Sequence, residues 1–323
     1  MTTFRAVMDI GTHSCRLIIA EIKDGKDVTH LRQLRVTRIG EGLGQGNLHI
    51  SRSAKDRTLS ALVEYKSMIG AYPVEKIWLL GTQALREADN GKEFVAEVKE
   101  KTGFDLEIIS GRREAYLSYA GAVSGLQRTG LQMPLVLDIG AGSTELFWEG
   151  VTSGGETCVD GASAPIGALR LLENPLDDEG ILDALKVGWR HVTIPTGVLH
   201  QVQHQAEVQY QVEAQHQADG ERPLVAVGGT ATTLGAIHMK MKIYDPEALL
   251  GLRVSRAEVE DVVAMLDGLS APERLALPGM MPGREDVMPW GLRILLGVMT
   301  YSGRDEVAIC DRDLLYGALY EQR

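Results

Sequence analysis

The sequence predicts an α/β fold made of two related domains that face each other across a cleft. Strand patterns and helix patterns alternate along the chain, which is typical of α/β proteins. A glycine-bearing turn that begins at Asp9 returns at Asp138, an offset of 129 residues and about the size of one domain. A chain of 323 residues is also long enough to bury two separate cores.

The first domain is predicted to begin with three strands separated by glycine turn signals, followed by alternating helices and strands. The three strands are Arg5–Ile10, Arg16–Glu21 and Leu34–Ile39. A helix is predicted over Ser51–Ile69 because its apolar residues recur at helical spacing and either Ser51 or Ser53 can act as the N-cap. The pattern continues with a strand over Ile77–Leu80, a helix over Gly91–Lys101, a strand over Leu106–Ile109 and a helix over Arg112–Ala122.

The second domain repeats the opening of the first, and we place the boundary between residues 1–128 and 129–323. Its predicted strands are Leu135–Ile139, Glu145–Trp148 and a third near Thr157–Val159. The nine-residue segments from Asp9 and from Asp138 share Asp, Ile, Gly, Ser and Leu at matching positions. Since both segments follow an apolar strand, we interpret them as the products of an ancient duplication.

A polar segment interrupts the second domain between residues 198 and 220. It contains seven glutamines and three histidines, of which His200 and His204 are four residues apart. Such a pair can share one helix face and hold a metal ion. A solvated polar helix or loop is the favoured interpretation.

Charge and composition exclude several classes of partner. The net charge of −11 argues against unselective nucleic-acid binding and against anionic membranes, both of which attract basic surfaces. No apolar run approaches the roughly 20 residues of a membrane span, and the N-terminus has no secretory signal pattern, so a cytoplasmic protein is expected. The three cysteines, Cys15, Cys158 and Cys310, are far apart in sequence and are read as reduced thiols.

The two repeated turns have a chemical use. A strand that ends in Asp-Ile-Gly and turns sharply lets backbone N–H groups approach an anion, because glycine has no side chain in the way. Hydroxyl donors follow the glycines, at Thr12 and Ser14 in the first turn and at Ser143 and Thr144 in the second. Each turn is therefore expected to bind a phosphate. Asp9 and Asp138, at the strand ends, would hold Mg²⁺ through water.

A third glycine turn, Gly228-Gly229-Thr230, follows the apolar strand Val225–Val227 and precedes a predicted helix. Backbone amides at a helix start favour an anion. This order of strands, glycine turns and helix resembles the plan of the actin, hexokinase and Hsp70 superfamily. The resemblance implies two actin-like (ribonuclease H-like) domains with a phosphate chain in the cleft between them.

Six ordered segments make the resemblance more specific, and the chain is similar to the exopolyphosphatase/guanosine pentaphosphate phosphatase (Ppx/GppA) family over nearly its whole length. The segments are DIGTHSCRL from Asp9, residues 81–88, residues 108–115, DIGAGSTEL from Asp138, Ser163–Leu171 and Leu277–Asp286. The resemblance implies hydrolysis of the terminal phosphate of inorganic polyphosphate or guanosine pentaphosphate. It also implies a homodimer.

The resemblance assigns roles to particular residues. Glu114 corresponds to the family's catalytic carboxylate, a general base that orients and deprotonates the attacking water. Asp138 and Glu145 become carboxylates of the Mg²⁺ and phosphate site, together with Asp9. The expected phosphate-binding residues are Gly11, Thr12, His13, Ser14, Arg86, Gly140, Ala141, Gly142, Ser143, Thr144, Gly228, Gly229 and Thr230. Arg86 is read equally well as part of a surface ion pair with Glu87.

The chain departs from the family pattern at three places. The first turn has Thr12 and His13 where Ser and Asn are usual, and His13 adds a group expected to charge near neutral pH. Arg113 replaces a glutamate next to Glu114, which removes a like charge and adds a phosphate contact as one alternative. Ala141 replaces a glycine and requires a negative φ.

Three functions remain open on the sequence. A phosphohydrolase acting on short phosphate chains is favoured, because the family's C-terminal helical extension is not present in this sequence. A kinase or ATPase of the same superfamily would share the phosphate turns. A phosphate-chain or alarmone sensor without turnover is the third alternative, suggested by His13 and Arg113.

Overall fold

The first of the two glycine turns lies in a five-stranded sheet. The computed structural model describes residues 2–43, 46–127, 129–151, 155–192 and 222–321. The strands are β1 (Thr3–Ile10), β2 (Ser14–Lys23), β3 (Lys26–Val36), β4 (Val74–Gly81) and β5 (Leu106–Ile108). They lie in the order β3-β2-β1-β4-β5, with β1 to β3 antiparallel and with β4 and β5 parallel to β1.

The second glycine turn lies in a sheet of six described strands. These are β6 (Leu135–Ile139), β7 (Thr144–Val151), β8 (Thr157–Ala164), β9 (Leu224–Val227), β10 (Arg253–Ser255) and β11 (Glu306–Ile309). Their order is β10-β11-β9-β6-β7-β8. Strands β6, β7 and β8 are antiparallel neighbours and β9 is parallel to β6, so the arrangement around β6 repeats the arrangement around β1. The prediction of two related α/β domains is confirmed at the level of strand order.

The third predicted strand was wrong in its bounds. We expected Leu34–Ile39, but β3 begins at Lys26 and ends at Val36. It begins directly after Asp24 and Gly25, which both have positive φ and form the tight turn from β2. Since β3 is an edge strand with mostly exposed polar residues in its first half, it lacks the apolar pattern that marks a buried strand.

Helices cover both sheets. In the first half of the chain they are α1 (Arg52–Ile69), α2 (Gln83–Glu87), α3 (Gly91–Thr102) and α4 (Gly111–Leu126). In the second half they are α5 (Ala168–Glu173), α6 (Asp178–Trp189), α7 (Gly228–His238), α8 (Pro246–Leu249), α9 (Arg256–Asp267), α10 (Ala271–Leu275), α11 (Met288–Ser302) and α12 (Leu314–Leu319). The Ser51 hydroxyl accepts a hydrogen bond from the Ala54 N–H, so of the two serine candidates Ser51 is the N-cap of α1.

Strand β1 is buried on both faces. Ala6 and Met8 pack in one apolar cluster with α1 and α3, while Val7 packs in another cluster with α12. Alternate residues of a strand point to opposite faces, so a strand covered by helices on both sides is apolar along its length. The burial of β1 fixes the position at which its following turn enters the cleft.

Helices α4 and α12 cross between the two halves of the chain. Helix α4 follows β5 of the first sheet, yet its Tyr119 and Ala122 pack on the second sheet. Helix α12 follows β11 of the second sheet but packs on β1 and β2 of the first. The helices touch at Gly121 and Gly317, where an added methyl group would lie 2.0 Å from a backbone oxygen of Asp313 and of Leu117, respectively. The sheets divide near the predicted boundary at residue 128, whereas these helices do not, and the boundary itself stays a prediction.

Three further expectations from the sequence concern the polar segment, membrane spans and the cysteines. The polar segment 198–220, including His200, His204 and His216, lies outside the described residues. None of the helices in the described ranges has both the length and the apolar character needed to span a bilayer. The three cysteines are free, with Cys15 and Cys310 buried and Cys158 partly exposed.

Candidate active site

The two repeated turns have the same backbone hydrogen bond. In the first turn the Gly11 N–H donates to the Ser14 carbonyl at 3.0 Å, and in the second the Gly140 N–H donates to the Ser143 carbonyl at 2.9 Å. The two turns line one cleft between the sheets. The structure therefore brings together the two segments that the sequence places 129 residues apart.

The residues opposite the two aspartates differ in charge. Asp9 pairs across the β1–β2 ladder with Arg16, whereas Asp138 pairs across the β6–β7 ladder with Glu145. Arg16 donates two hydrogen bonds to Oδ2 of Asp9, at 2.6 and 3.1 Å, and also forms an ion pair with Asp313. Arg16 on β2 thus balances the negative charge of Asp9 in the first turn, whereas the second turn has two acidic groups and no such arginine opposite Asp138.

Five carboxylates line the cleft. They are Asp9, Glu114, Asp138, Glu145 and Asp313. Burial raises the pKa of Asp138 to about 7, with the charge of Asp313 adding to it. Burial, followed by the charge of Glu114, raises the pKa of Glu145 to about 8. Acidic groups that lie together in one buried cleft favour a cation, because a cation stabilises their charged forms.

The geometry fits a hydrated hard cation better than a fully protein-ligated one. Oδ1 of Asp9 is buried and has no hydrogen-bond partner among the described residues. Within the described ranges, no group of three or more acidic, histidine or cysteine side chains converges tightly enough to ligate one ion. Mg²⁺ usually keeps several waters and binds proteins through one or two carboxylates, which agrees with this arrangement.

His13 does not behave as the sequence led us to expect. Its Nε2 donates to the Gly283 carbonyl at 3.0 Å, and its Nδ1 is buried without a partner among the described residues. Burial and then the positive charge of Arg284 lower the pKa of His13 to about 4. The expectation of a group that charges near neutral pH is therefore wrong, because burial of the ring, and then the positive charge of Arg284, disfavour its protonation.

The second turn brings only part of its predicted set to the cleft. Gly140, Ala141 and Ser143 line it. Gly142 instead faces Gln83, whose side-chain oxygen would lie 2.5 Å from an added methyl group. The Thr144 hydroxyl is fully buried and donates to the Ile166 carbonyl at 2.7 Å, so it serves the fold. Ala141 is not among the described non-glycine residues with positive φ, so its backbone meets the condition set by the sequence.

The third glycine turn makes room for two charged side chains. Gly228, with φ of 76°, is the first residue of α7, and an added methyl group there would lie 2.7 Å from Oδ1 of Asp138. At Gly229 an added methyl group would overlap the guanidinium of Arg284, at 1.7 Å. The Thr230 hydroxyl donates to the Ile139 carbonyl at 3.1 Å and ties the turn to β6.

Arg284 is the main site residue that the sequence analysis missed. Its side chain lines the cleft over the start of α7 and makes no ion pair with any described residue. Burial and the nearby Arg16 lower the pKa of Arg284 to about 10, so the guanidinium remains charged at neutral pH. A charged arginine held at a helix N-terminus without an acidic partner is a site for an anion. The signal was available, because Arg284 is the arginine of the Leu277–Asp286 segment that carried the family resemblance.

Glu114 lies at the edge of the cleft and is held by Arg86. Arg86 Nη1 donates to Oε2 of Glu114 at 2.6 Å and to the Ile109 carbonyl at 3.1 Å. Burial raises the pKa of Glu114, and the charge of Arg86 opposes this shift. Arg86 itself does not line the cleft, so the structure does not bring it to the phosphate turns. It does not pair with Glu87 either, which contacts Arg170 at 2.9 Å.

Arg113 points away from the cleft. It forms ion pairs with Glu107 and Glu321, the latter at 2.6 Å, and so connects the start of α4 to the region after α12. The alternative that Arg113 contacts phosphate is wrong. Its position on α4 next to Glu114 directs the two side chains to different sides of the helix.

Comparison with known proteins agrees with this geometry. The sequence profile of the Ppx/GppA phosphatase family matches residues 18–323. The chain belongs to the Ppx/GppA phosphatase family. Among solved structures, that of the Aquifex aeolicus Ppx/GppA family member superposes with a TM-score of 0.73 at 25% identity, covering 99% of this chain and 97% of that one. The fold prediction of two actin-like domains is confirmed by this likeness.

Two curated relatives differ in length. The chain is 30% identical to exopolyphosphatase 2 of Mycobacterium tuberculosis, over 97% of this chain and 96% of that protein. It is also 30% identical to a bifunctional 3-dehydroquinate synthase/phosphatase of Fusobacterium nucleatum, covering 98% of this chain but only 46% of that protein. Ppx/GppA sequences thus occur both as a separate chain and as part of a longer one.

Proposed function

We propose that this protein is a Mg²⁺-dependent phosphohydrolase that removes the terminal phosphate from inorganic polyphosphate, with a preference for short chains, and from guanosine pentaphosphate. The observation that carries the proposal is the combination of both glycine turns, the unpaired Arg284 and Glu114 in a single cleft. Membership of the Ppx/GppA phosphatase family supports the same reaction class.

In the proposed reaction the cleft binds the terminal phosphate and Glu114 prepares the water. Phosphoryl transfer passes through a loose transition state, so positioning and positive charge supply most of the catalysis. Arg284 and the N–H groups of the turns at Gly11 and Gly140 would hold the phosphate oxygens. Glu114 would orient the water and accept its proton as the new bond to phosphorus forms.

The contacts of Glu114 suit the role of a general base. Arg86 fixes one carboxylate oxygen, Oε2, while no described residue donates a hydrogen bond to the other oxygen, Oε1. Oε1 is therefore available for a water molecule. Burial raises the pKa of Glu114, which makes the carboxylate a stronger base than one exposed to solvent.

Mg²⁺ would be held by the acidic residues of the two turns. Oδ1 of Asp9 is buried without a partner, and Asp138 and Glu145 form a pair of like charges, so these three groups fit a hydrated cation. When bound, the ion supplies positive charge that stabilises the negative oxygens of the transferred phosphoryl group.

The preference for short chains is argued from charge. The protein carries a net charge of −11, and acidic groups outnumber arginines in the cleft. A long polyanion needs a basic surface along its length, whereas a short chain needs only the local site. A homodimer and a cytoplasmic location belong to the same proposal and stay predictions.

The test is a phosphate-release assay with Mg²⁺ on four substrates: short polyphosphate, long polyphosphate, guanosine pentaphosphate and ATP. We expect release from short polyphosphate to be fastest, and Glu114→Gln to slow it by about 10²- to 10⁴-fold. Glu64→Gln, which alters an exposed glutamate paired with Arg35, is the matched control and should retain full activity.

Each alternative function has its own outcome in this assay. Release that persists in Glu114→Gln contradicts the assignment of the base. Tight binding of polyphosphate without any release favours the sensor. Turnover of ATP that requires an added sugar or another acceptor favours the kinase.

A further inference from the structure

A second cavity adjoins the cleft behind Glu114. It lies between the start of α4 and strands β7 and β8. Glu114 and Glu145 line both spaces, whereas Arg86 and Arg112 line the second cavity and not the cleft. The two glutamates therefore form the wall that the two spaces share.

The direction of the reaction decides which fragment can enter this cavity. In displacement at phosphorus, the attacking water and the leaving oxygen lie on opposite sides, roughly in line. Since Glu114 lies in the wall shared with the second cavity, water held by Glu114 would attack from that side, and the retained phosphate chain would extend to the opposite side. When the bond between phosphorus and the chain oxygen breaks, the new inorganic phosphate lies next to Glu114.

We propose that the second cavity is the exit for inorganic phosphate, an inference that rests on the proposed hydrolase function. The product can then leave behind Glu114 while the shortened chain stays bound on the opposite side for the next cycle. The retained chain and the product use different openings, so the chain need not dissociate for each phosphate that is released.

The start of α4 gives the cavity features that attract an anion, although Asp160 is also among the lining residues. Arg112 is exposed and makes no ion pair or side-chain hydrogen bond with any described residue. Gly111 and Arg112 are the first residues of the 16-residue helix α4, whose N-terminal N–H groups attract negative charge.

Cys158 allows the cavity to be blocked reversibly. Its side chain lines the cavity and is partly exposed, whereas Cys15 and Cys310 are fully buried, at 0% exposure. A methanethiosulfonate reagent will therefore react at Cys158 in preference to the other two, and a reductant will remove the adduct. Reagents of similar size but opposite charge separate an effect on anion passage from an effect of bulk.

The experiment follows a single turnover of short polyphosphate with Mg²⁺ by two signals. Acid quench measures all phosphate formed, and a fluorescent phosphate sensor measures only free phosphate. An anionic sulfonatoethyl adduct at Cys158 should leave formation unchanged and delay free phosphate by about tenfold. A cationic trimethylammonioethyl adduct should delay it much less. Cys158→Ser treated with either reagent should show no delay.

A variant without any label gives a second measurement. Arg112→Gln should delay free phosphate by about threefold relative to formation, and Arg112→Lys should restore most of the loss because it keeps the charge. Equal delays of free phosphate from the two adducts would contradict the proposed exit. So would the absence of a delay from the anionic adduct or in Arg112→Gln. It is also overturned if the adduct slows formation more as the chain lengthens, since the cavity would then hold the retained chain.

The hydrolase and the exit fail in different ways. If the unlabelled protein forms no phosphate in the acid-quench signal, the proposed function itself is contradicted. If phosphate forms normally and neither Cys158 adducts nor Arg112 variants separate the two signals, only the exit is contradicted.

Discussion

The two glycine turns share a backbone and differ in electrostatics. Each has a glycine N–H bonded to a serine carbonyl three residues later, at 3.0 and 2.9 Å. Opposite the strand-end aspartate, however, the first turn has Arg16 and the second has Glu145. The residue opposite the aspartate is therefore enough to distinguish two copies of such a turn. Arg16 balances the charge of Asp9, whereas Glu145 adds a second acidic group beside Asp138 and favours a cation.

The largest expected effect on stability comes from removing the positive charge of Arg16, which balances Asp9 in the first turn. Arg16→Gln leaves Asp9 and Asp313 without their common partner, and loss of one member of a buried ionic network costs about 3–5 kcal/mol. We expect a loss of this size in the free energy of unfolding measured with urea. Arg52→Gln, which breaks an exposed pair with Asp56, should cost less than about 1 kcal/mol. Similar losses of unfolding free energy in the two variants would contradict the role of Arg16 as the buried charge partner of Asp9 in the first turn.

One residue of each turn, His13 in the first and Glu145 in the second, should make stability depend on pH in opposite directions when a metal chelator is present. The pKa of His13 falls from 6.5 to about 4 on folding, so the unfolded state binds more protons and stability is lost as pH drops from about 6.5 to 4. This loss should amount to about 3 kcal/mol. The pKa of Glu145 rises from 4.5 to about 8, so stability present below pH 4.5 is lost as pH rises toward 8.

Single substitutions should separate these two pH effects. In His13→Asn, the free energy of unfolding should fall less as pH drops from 6.5 to 4. In Glu145→Gln, it should fall less as pH rises from 4.5 to 8. Urea unfolding at a series of pH values measures both. If His13→Asn instead changes the pH dependence between pH 6.5 and 8, the acidic effect does not come from His13 and this prediction is wrong.

A smaller effect is expected at Gly229, where the third turn accommodates Arg284. Gly229→Ala places a methyl group where the guanidinium lies and forces it to move. Since Arg284 lines the cleft and has no ion-pair partner among the described residues, we expect KM for polyphosphate to rise about tenfold, the contribution of one charge-assisted hydrogen bond. Initial-rate kinetics give KM and kcat separately. Gly235→Ala, in the same helix but packed against Leu249, should leave KM unchanged.

The smallest effect is expected at Ala141. Ala141→Gly restores the glycine usual in the family, yet the backbone at this position does not need one. Activity should stay the same, while the free energy of unfolding should fall by about 0.5–1 kcal/mol because glycine has more freedom in the unfolded chain. An increase in kcat in this variant would show that the methyl group hinders the second turn.

Local signals predicted the turns and most elements, and distant contacts explain the errors. The apolar run of β1, the N-cap at Ser51 and the glycine turns are properties of a few neighbouring residues, so the sequence shows them directly. Arg284 and Asp313 enter the cleft from the far end of the chain, and no spacing rule connects them with Asp9. The direction of the Arg113 side chain likewise depends on Glu321, which only the folded chain brings near.

The return of α12 to the first sheet has a consequence for synthesis of the chain on the ribosome. Residues 314–319 supply part of the apolar cover of β1 and β2, although those strands are made long before α12. One face of the first sheet therefore stays exposed until α12 has emerged, and contacts of such long sequence separation form slowly. A nascent chain of this protein is thus expected to depend on chaperones that shield that face until α12 is made.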